Sequence, residues 1–359
     1  MKLAGFLFKV LLLMAVVAGI AIVALMSRAG QYRDVVPLAA GECRRYSGAP
    51  GAEDLEVHRE SSTLIISSDD RRAGGVAAGE RASAGLFVLD LGRADAEIQP
   101  LAHDFAGPLR PHGIHLVEAG ADGVLFVVNH GDGHSIEIFR FGSGPGGPSA
   151  RHLRTVRDRL LISPNDVAGL DERRFYVTND HGPGGPTRQQ LDDLLGRHRG
   201  SVAYWDGGAM RLVAEELGFP NGVALNPENQ YLYVAETLGG RINVYSRVEE
   251  GEREGDLDVV KQLEIDSGVD NLEVDLYGGL WVAAHPHLWS FLRHARDASV
   301  DSPSQIFWVD PAEDMEPWLR PVWVDDGAQL SGASVAVPFG ARFAIGSVFE
   351  SDILICDRS

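Results

Sequence analysis

Six times along this chain a short polar segment runs directly into an apolar strand, at intervals of roughly 50 to 60 residues, the scale of one β-propeller blade. The copies read Glu53-Asp54-Leu55-Glu56-Val57, Pro111-His112-Gly113-Ile114-His115, Pro164-Asn165-Asp166-Val167-Ala168, Pro220-Asn221-Gly222-Val223-Ala224, Val269-Asp270-Asn271-Leu272-Glu273 and Ser331-Gly332-Ala333-Ser334-Val335. A unit of this length cannot bury its apolar face alone, so the copies must pack on one another. In a radial stack, one repeat position maps onto one end of a central channel. Polar oxygens far apart in sequence would then converge on an axis.

The intervening sequence supports that arrangement. About ten residues beyond each copy comes a second β-rich run: Leu64–Ser67, Leu125–Val128, Phe175–Thr178, Leu232–Ala235, Leu280–Ala283 and Phe343–Gly346. Turn residues such as Asp122-Gly123 and Tyr277-Gly278-Gly279 precede most of them. Third strands follow at Phe87–Leu91, Ile136–Phe139, Ile242–Tyr245 and Ile353–Cys356. Short repeated strands without long amphipathic helices predict an all-β, six-bladed β-propeller over residues 34–359, with a β-sandwich as the alternative. Hydrophobic residues at 45% and charged residues at 23% suffice for one large core. A net charge of −19 counts against a nucleic-acid partner, because phosphates would be repelled.

Residues 1–33 differ in kind. Lys2 and Lys9 precede the uncharged run Val10–Met26, longer than a usual signal-peptide core and just long enough to span a bilayer. It reads as an N-terminal hydrophobic helix serving as a signal-anchor. Ser27-Arg28-Ala29 also offers a small-x-small cleavage site, so a secreted form is the alternative. Either way the propeller is expected outside the cytoplasm. The only two cysteines, Cys43 and Cys356, stand at opposite ends of the domain, where first and last blades of a ring are neighbours. A bond between them would lock ring closure and, by the chain-entropy estimate, contribute about 5 to 6 kcal/mol less any strain. It requires an oxidising compartment, in keeping with export. Two unrelated buried thiols are the alternative.

Taken in order from about Val36 to Cys356, several segments resemble the paraoxonase/arylesterase family. They are Gly51–Glu56, Pro111–Ile114, Val127–His130, Pro164–Val167, Phe175–His181, Asn221–Val223, Val269–Leu272 and Trp281–Pro286, together with both cysteines. The resemblance implies a six-bladed propeller with two calcium ions in its tunnel, hydrolysing lactones, aryl esters and sometimes organophosphates. By resemblance Glu53, Asn165, Asn221, Asp270 and Asn271 hold the catalytic ion. Asp54, Asp166 and the backbone carbonyl of Ile114 hold a structural ion that ties the first three blades together. The chemistry agrees: calcium takes six to eight oxygen ligands, and two carboxylates with three neutral amides would leave the ion electrophilic. Each Asp or Asn alone is an ordinary turn residue. The adjacent pairs at one repeat position are not explained that way. Zinc would want thiolates, and magnesium more water.

Of the twelve histidines, His112 and His130 match the family's pair beside the catalytic ion. The expected roles are His112 as general base on an attacking water and His130 orienting it and shuttling the proton. A calcium-bound carboxylate, Glu53 or Asp270, is the alternative base. His181, Phe219 and His285 are expected to line the substrate pocket. No Gly-x-Ser-x-Gly, His-Glu-x-x-His or phosphate-loop motif competes. The chain departs from the family where animal members carry a loop with an active-site Tyr, here Ser68–Gly75. A second departure follows His181, where Gly182–Thr187 and the acidic Gln189–Gly196 replace an aromatic, membrane-seeking helix. These changes count against lipoprotein binding and organophosphate turnover, which depend on lid surfaces. The expected partners are a small lactone or ester and, through the leader, a membrane. A non-catalytic calcium-stabilised binding propeller and a gluconolactonase-like or strictosidine-synthase-like enzyme are the competing readings.

Overall fold

The computed structural model describes residues 2–73, 84–312 and 318–358. Gly74 and Gly75 of the departing loop lie outside the described residues. The strands form six sheets, five of four strands and one of five, disposed around an axis as six blades. The innermost strands are Ala52–His58, Pro111–Ala119, Pro164–Gly169, Pro220–Leu225, Gly268–Val274 and Ala333–Phe339, for blades 1 to 6. Each begins at the same end of the channel, so the polar copies form one rim.

Blade-to-blade packing holds the ring. The buried apolar side chains fall into clusters that each join two neighbouring blades. Leu55, Val57 and Leu64 of blade 1 pack against Val335, Val337 and Ala344 of blade 6, and Phe126, Val128 and Ile138 of blade 2 against Val167, Phe175 and Val177 of blade 3. Both faces of most strands are covered, which is why the inner strands read as nearly continuous apolar runs after their polar start. Each fully buried large side chain contributes about 1.5 to 3 kcal/mol by transfer.

Ring closure uses both ends of the domain. The outermost strand of blade 6 is Cys43–Ser47, paired antiparallel with Asp352–Asp357. Cys43 stands opposite Cys356 in this ladder, and the two form a disulfide across 313 residues of sequence. The bond therefore lies inside the last blade and stitches an N-terminal strand into it, where the sequence suggested a bond between neighbouring blades.

Among the described residues, three helices crown the rim. Helix α1, Lys2–Arg28, includes a stretch, Phe6–Arg28, long and apolar enough to cross a membrane. The backbone leaving α1 is fastened to blade 5: Leu288 N–H donates to Ala29 O at 3.0 Å and Gln31 bonds Ser290 at 3.3 Å. Helix α2, Pro186–Leu194, follows blade 3, and α3, Leu288–His294, follows the second strand of blade 5. In α2 the acidic side turns inward: Asp192 is buried beside Arg188, Arg197 and Arg199, while Leu191 and Leu194 are exposed.

Candidate active site

The pleat of a strand sends consecutive side chains to opposite faces, so adjacent ligands such as Asp270-Asn271 need a local exception. The structure supplies one in every blade. The inner ladder slips between Ala52 and Asp54, Pro111 and Ile114, Pro164 and Val167, Pro220 and Val223, Val269 and Leu272, and Ala333 and Val335. At each slip two residues oppose one, as in a β-bulge, which re-aims side chains. Blades 1, 3 and 5 carry two functional side chains at the bulge. In blades 2 and 4 the second position is glycine, and the reason is space. A Cβ on Gly222 would come within 2.6 Å of the Asn271 Cα and the Leu272 N. The alternation lets neighbouring bulges nest.

The five expected ligands of the catalytic ion lie together. Asn271 Nδ2 donates to Glu53 Oε1 at 2.8 Å, Asn221 Nδ2 donates to Asp270 Oδ1, and Asn165 Nδ2 contacts Asp180 Oδ2 at 3.4 Å. Each amide thus spends its NH2 on a neighbour and keeps its carbonyl for the channel. Glu53 Oε2 and the Oδ1 atoms of Asn165, Asn221 and Asn271 are buried without any hydrogen-bond partner. A buried polar atom left so costs about 1 to 3 kcal/mol, and four on one rim form an oxygen cradle. Burial, with a push from Asp270 and against the Arg71 charge, raises Glu53 to about 7, a penalty that a cation among these oxygens would relieve. The donor set fits a hard cation such as calcium. Among the described residues no three His, Cys, Asp or Glu side chains form a metal cluster, consistent with a cradle built mostly of amides.

One layer deeper stand Asp54 and Asp166. Asp54 accepts N–H groups from Leu55 at 2.9 Å and Ile114 at 2.6 Å, and Asp166 from Val167 and Val223, both at 2.7 Å. They brace blade 1 to blade 2 and blade 3 to blade 4, and each oxygen retains a lone pair for a second ion. Burial and, for Asp54, the Asp166 charge hold both well above the usual carboxylate range. Ile114 meets Asp54 through its N–H, a contact the sequence did not suggest. Two channel carboxylates were also missed: Glu56, raised to about 8 by burial, and Glu273, raised by burial and the Glu56 charge. Their spacing from Glu53 and Asn271 along one strand was the available signal.

The histidine pair is present. His112 Nδ1 lies 3.0 Å from His130 Nε2, and His112 Nε2 lies 3.6 Å from Glu53 Oε1. Burial first, then the Arg71 charge, holds His112 well below the usual imidazole range, and burial lowers His130 to about 4. Both are neutral near pH 7. His134, for which the sequence offered no pattern, continues the line: its Nδ1 is 2.8 Å from His130 Nδ1, and its side chain is exposed. Three imidazoles thus run from the channel to solvent.

Glu53, His112, Asn165, Asn221 and Asp270 line one cavity of about 270 Å³ at the rim. Phe219, Leu238, Leu288, Phe291, Leu292, and Phe349 give it an apolar wall. Phe219 and His285 both line it. His285 Nε2 meets Asp270 Oδ2 at 2.7 Å, and its ring stacks on Phe291 with centroids 3.9 Å apart. His181 stands behind the wall: it packs edge-on to Phe219 and bonds Asp180 at 2.8 Å and Asp193 at 3.1 Å. Burial opposes its charge, but the two carboxylates outweigh that and raise it to about 10. Asp180 and Arg71, also on this cavity, were not singled out from sequence. A larger cavity of about 520 Å³ opens at the opposite end of the channel, and no ligand or histidine candidate lines it.

Comparison with known proteins gives a consistent picture. The arylesterase family model matches residues 51–358. The chain is 30% identical over 340 residues to serum paraoxonase/arylesterase 1 of Mus musculus, covering 92% of this chain and 93% of that protein. Against serum paraoxonase/arylesterase 2 of Homo sapiens it is 29% identical over 337 residues, covering 92% of both. A gluconolactonase from Xanthomonas campestris superposes with TM-score 0.54 at 18% identity, covering 91% of this chain and 99% of that one. Regucalcin, a calcium-binding protein from Agrobacterium tumefaciens, superposes with TM-score 0.50 at 12% identity, covering 89% and 96%. At these identities the likeness to the solved structures is one of fold.

Proposed function

The chain belongs to the arylesterase family, and on that premise we propose that it is a calcium-dependent hydrolase of lactones and aryl esters whose attacking water is deprotonated by His112. Ester hydrolysis follows from family membership; the metal, the base and the preference for lactones are our reading. Its chief support is the set of four partnerless buried oxygens, from Glu53, Asn165, Asn221 and Asn271, the first three of which belong to residues that line one cavity with the neutral imidazole of His112.

Bound in the cradle of Glu53, Asn165, Asn221, Asp270 and Asn271, calcium would supply a Lewis acid that polarises the ester carbonyl. Asp54 and Asp166, with the Ile114 carbonyl, would hold a second ion beneath it. The residues do the rest. As water oxygen bonds to the carbonyl carbon, its proton passes to His112 Nε2. The C–O bond to the leaving alkoxide then breaks, and that oxygen takes the second proton of the attacking water, leaving a carboxylate and an alcohol. His112 Nδ1–H can hand its proton to His130 Nε2, and His130 Nδ1–H to His134, which releases it to solvent. The apolar wall excludes water from the alkyl part of the substrate. A lactone is favoured because ring closure holds its ester in the less stable conformer. Helix α1 would act as a signal-anchor, and its attachment beside α3 would set the cavity mouth near the membrane surface.

The test is pH-stat titration of the oxidised protein with a series of lactones, before and after chelation. Turnover that disappears with chelation and returns with calcium is expected. A folded, calcium-loaded protein with no turnover on any lactone or aryl ester would instead favour a ligand-binding propeller.

A further inference from the structure

Three arginines stand around the rim of blade 1, and two are committed. Arg110 pairs with Asp69 at 3.0 Å, and Arg72 reaches Glu350 at 3.6 Å and the His294 carbonyl at 2.9 Å. Arg71 differs. It lines the same cavity as Glu53, His112 and Asp270. Among the described residues its only hydrogen bonds run from Nη1 to the carbonyls of Gly51 and Asp69, both long at 3.3 Å. Among the described residues no carboxylate lies within ion-pair distance of it, so Nε and Nη2 are left for whatever enters the cavity.

On the reading above, Glu53 and Asp270 face a divalent cation, and His181 bridges Asp180 and Asp193. The guanidinium is then left without a carboxylate in direct contact, in a partly desolvated pocket where a fixed fork of donors suits an incoming carboxylate. Across the axis from blade 1 stands blade 4, which contributes Phe219 and Leu238 to the apolar wall. The cavity therefore has one cationic side and one apolar side.

We propose that Arg71 forms a carboxylate-binding subsite, and that the preferred substrates are lactones or esters bearing a second, ionised carboxylate. The inference rests on the hydrolase reading, because it takes this cavity as the substrate pocket. The same fork could hold the carboxylate that hydrolysis releases. In that case binding would appear as product inhibition and not as substrate preference, and the experiment separates the two.

The experiment measures kcat/KM on a carboxylate-bearing γ-lactone and on its neutral methyl ester, for the calcium-loaded full chain and for Arg71→Gln and Arg71→Lys. Calorimetric titration with 4-hydroxybutyrate, in saturating calcium, runs beside it. The wild-type protein should favour the anionic lactone by about tenfold or more, the magnitude of one charge-assisted hydrogen-bonded pair. Arg71→Gln should abolish that ratio, and Arg71→Lys should retain part of it. A ratio near one in the wild type, or one unchanged in a folded Arg71→Gln protein, overturns the proposal. So does a change confined to 4-hydroxybutyrate binding, which would assign Arg71 to the product. If the wild type hydrolyses no lactone, the hydrolase reading fails, and loss of 4-hydroxybutyrate binding in Arg71→Gln would show separately whether the carboxylate site exists.

Discussion

At the scale of single residues, the histidines divide into those the sequence could point to and one it could not. His112 and His130 lie in segments shared with a known family, whereas His134 becomes meaningful only because a tight turn brings it back to 2.8 Å from His130. Removing His112 or His130 as glutamine should lower kcat by about 10²- to 10⁴-fold, the usual range for a general base, with calcium binding retained by calorimetry. His134→Gln should slow turnover less, and added imidazole buffer should restore it. If His134→Gln is silent at all buffer concentrations, His130 exchanges protons with water directly. The low pKa of the pair sets the pH dependence. An imidazole held below its ordinary value stays neutral as pH falls through 6.5, so kcat/KM in saturating calcium should show no acid limb between pH 8 and 6. The limb belongs nearer the His130 value of about 4. A midpoint near 6.5 would mean that the titrating histidine is not in this pair.

At the scale of elements, the bulges explain both what could be read and what could not. The adjacent polar pairs Glu53-Asp54, Asn165-Asp166 and Asp270-Asn271 are visible in the chain, but strict alternation would have sent one of each pair away from the axis. The six register slips resolve that, and no residue type announces them. Helix α2 shows a different limit of the pattern. Its Leu191 and Leu194 are exposed, and Asp192 is the buried residue because three arginines surround it. The nesting of bulges makes Gly222 a sensitive position. Alanine there would drive a Cβ into backbone atoms of Asn271 and Leu272 at 2.6 Å, and backbone cannot rotate away. Gly222→Ala should cost about 1 to 3 kcal/mol, as overpacking does, and should weaken calcium binding by displacing Asp270 and Asn271. Gly146→Ala, where a Cβ meets nothing within 4 Å, is the control and should stay within about 0.5 kcal/mol. Thermal unfolding and calcium calorimetry on both variants decide it; equal behaviour would show that the bulges yield to pressure.

At the scale of the whole molecule, the number of blades was legible because the repeat is regular, but the manner of closure was not. Cys43–Ser47 is a five-residue strand with two exposed arginines and no apolar alternation, so nothing local assigns it to the blade formed by residues 333–357. Two devices then hold the ring, and they act on different blades. The oxygen cradle draws on blades 1, 3, 4 and 5, and blade 6 meets it through Ser334, whose Oγ donates to Glu53 O at 2.7 Å. Calcium should therefore stiffen the axis without fastening the seam. The disulfide fastens the seam without touching the axis. Its loop of 313 residues gives a chain-entropy contribution of about 5 to 6 kcal/mol before any strain. A Cys43→Ser/Cys356→Ser protein should lose stability of that order whether or not calcium is present, with faster amide exchange first at 43–47 and 352–357. Chelation of the intact protein should instead loosen the bulges of blades 1, 3, 4 and 5 and leave the seam protected. Exchange measured by mass spectrometry on the four combinations tests this division. If chelation alone opens the seam, the cradle and the closure are one cooperative unit, because the Ser334–Glu53 contact would then be enough to carry the loss at the axis into blade 6.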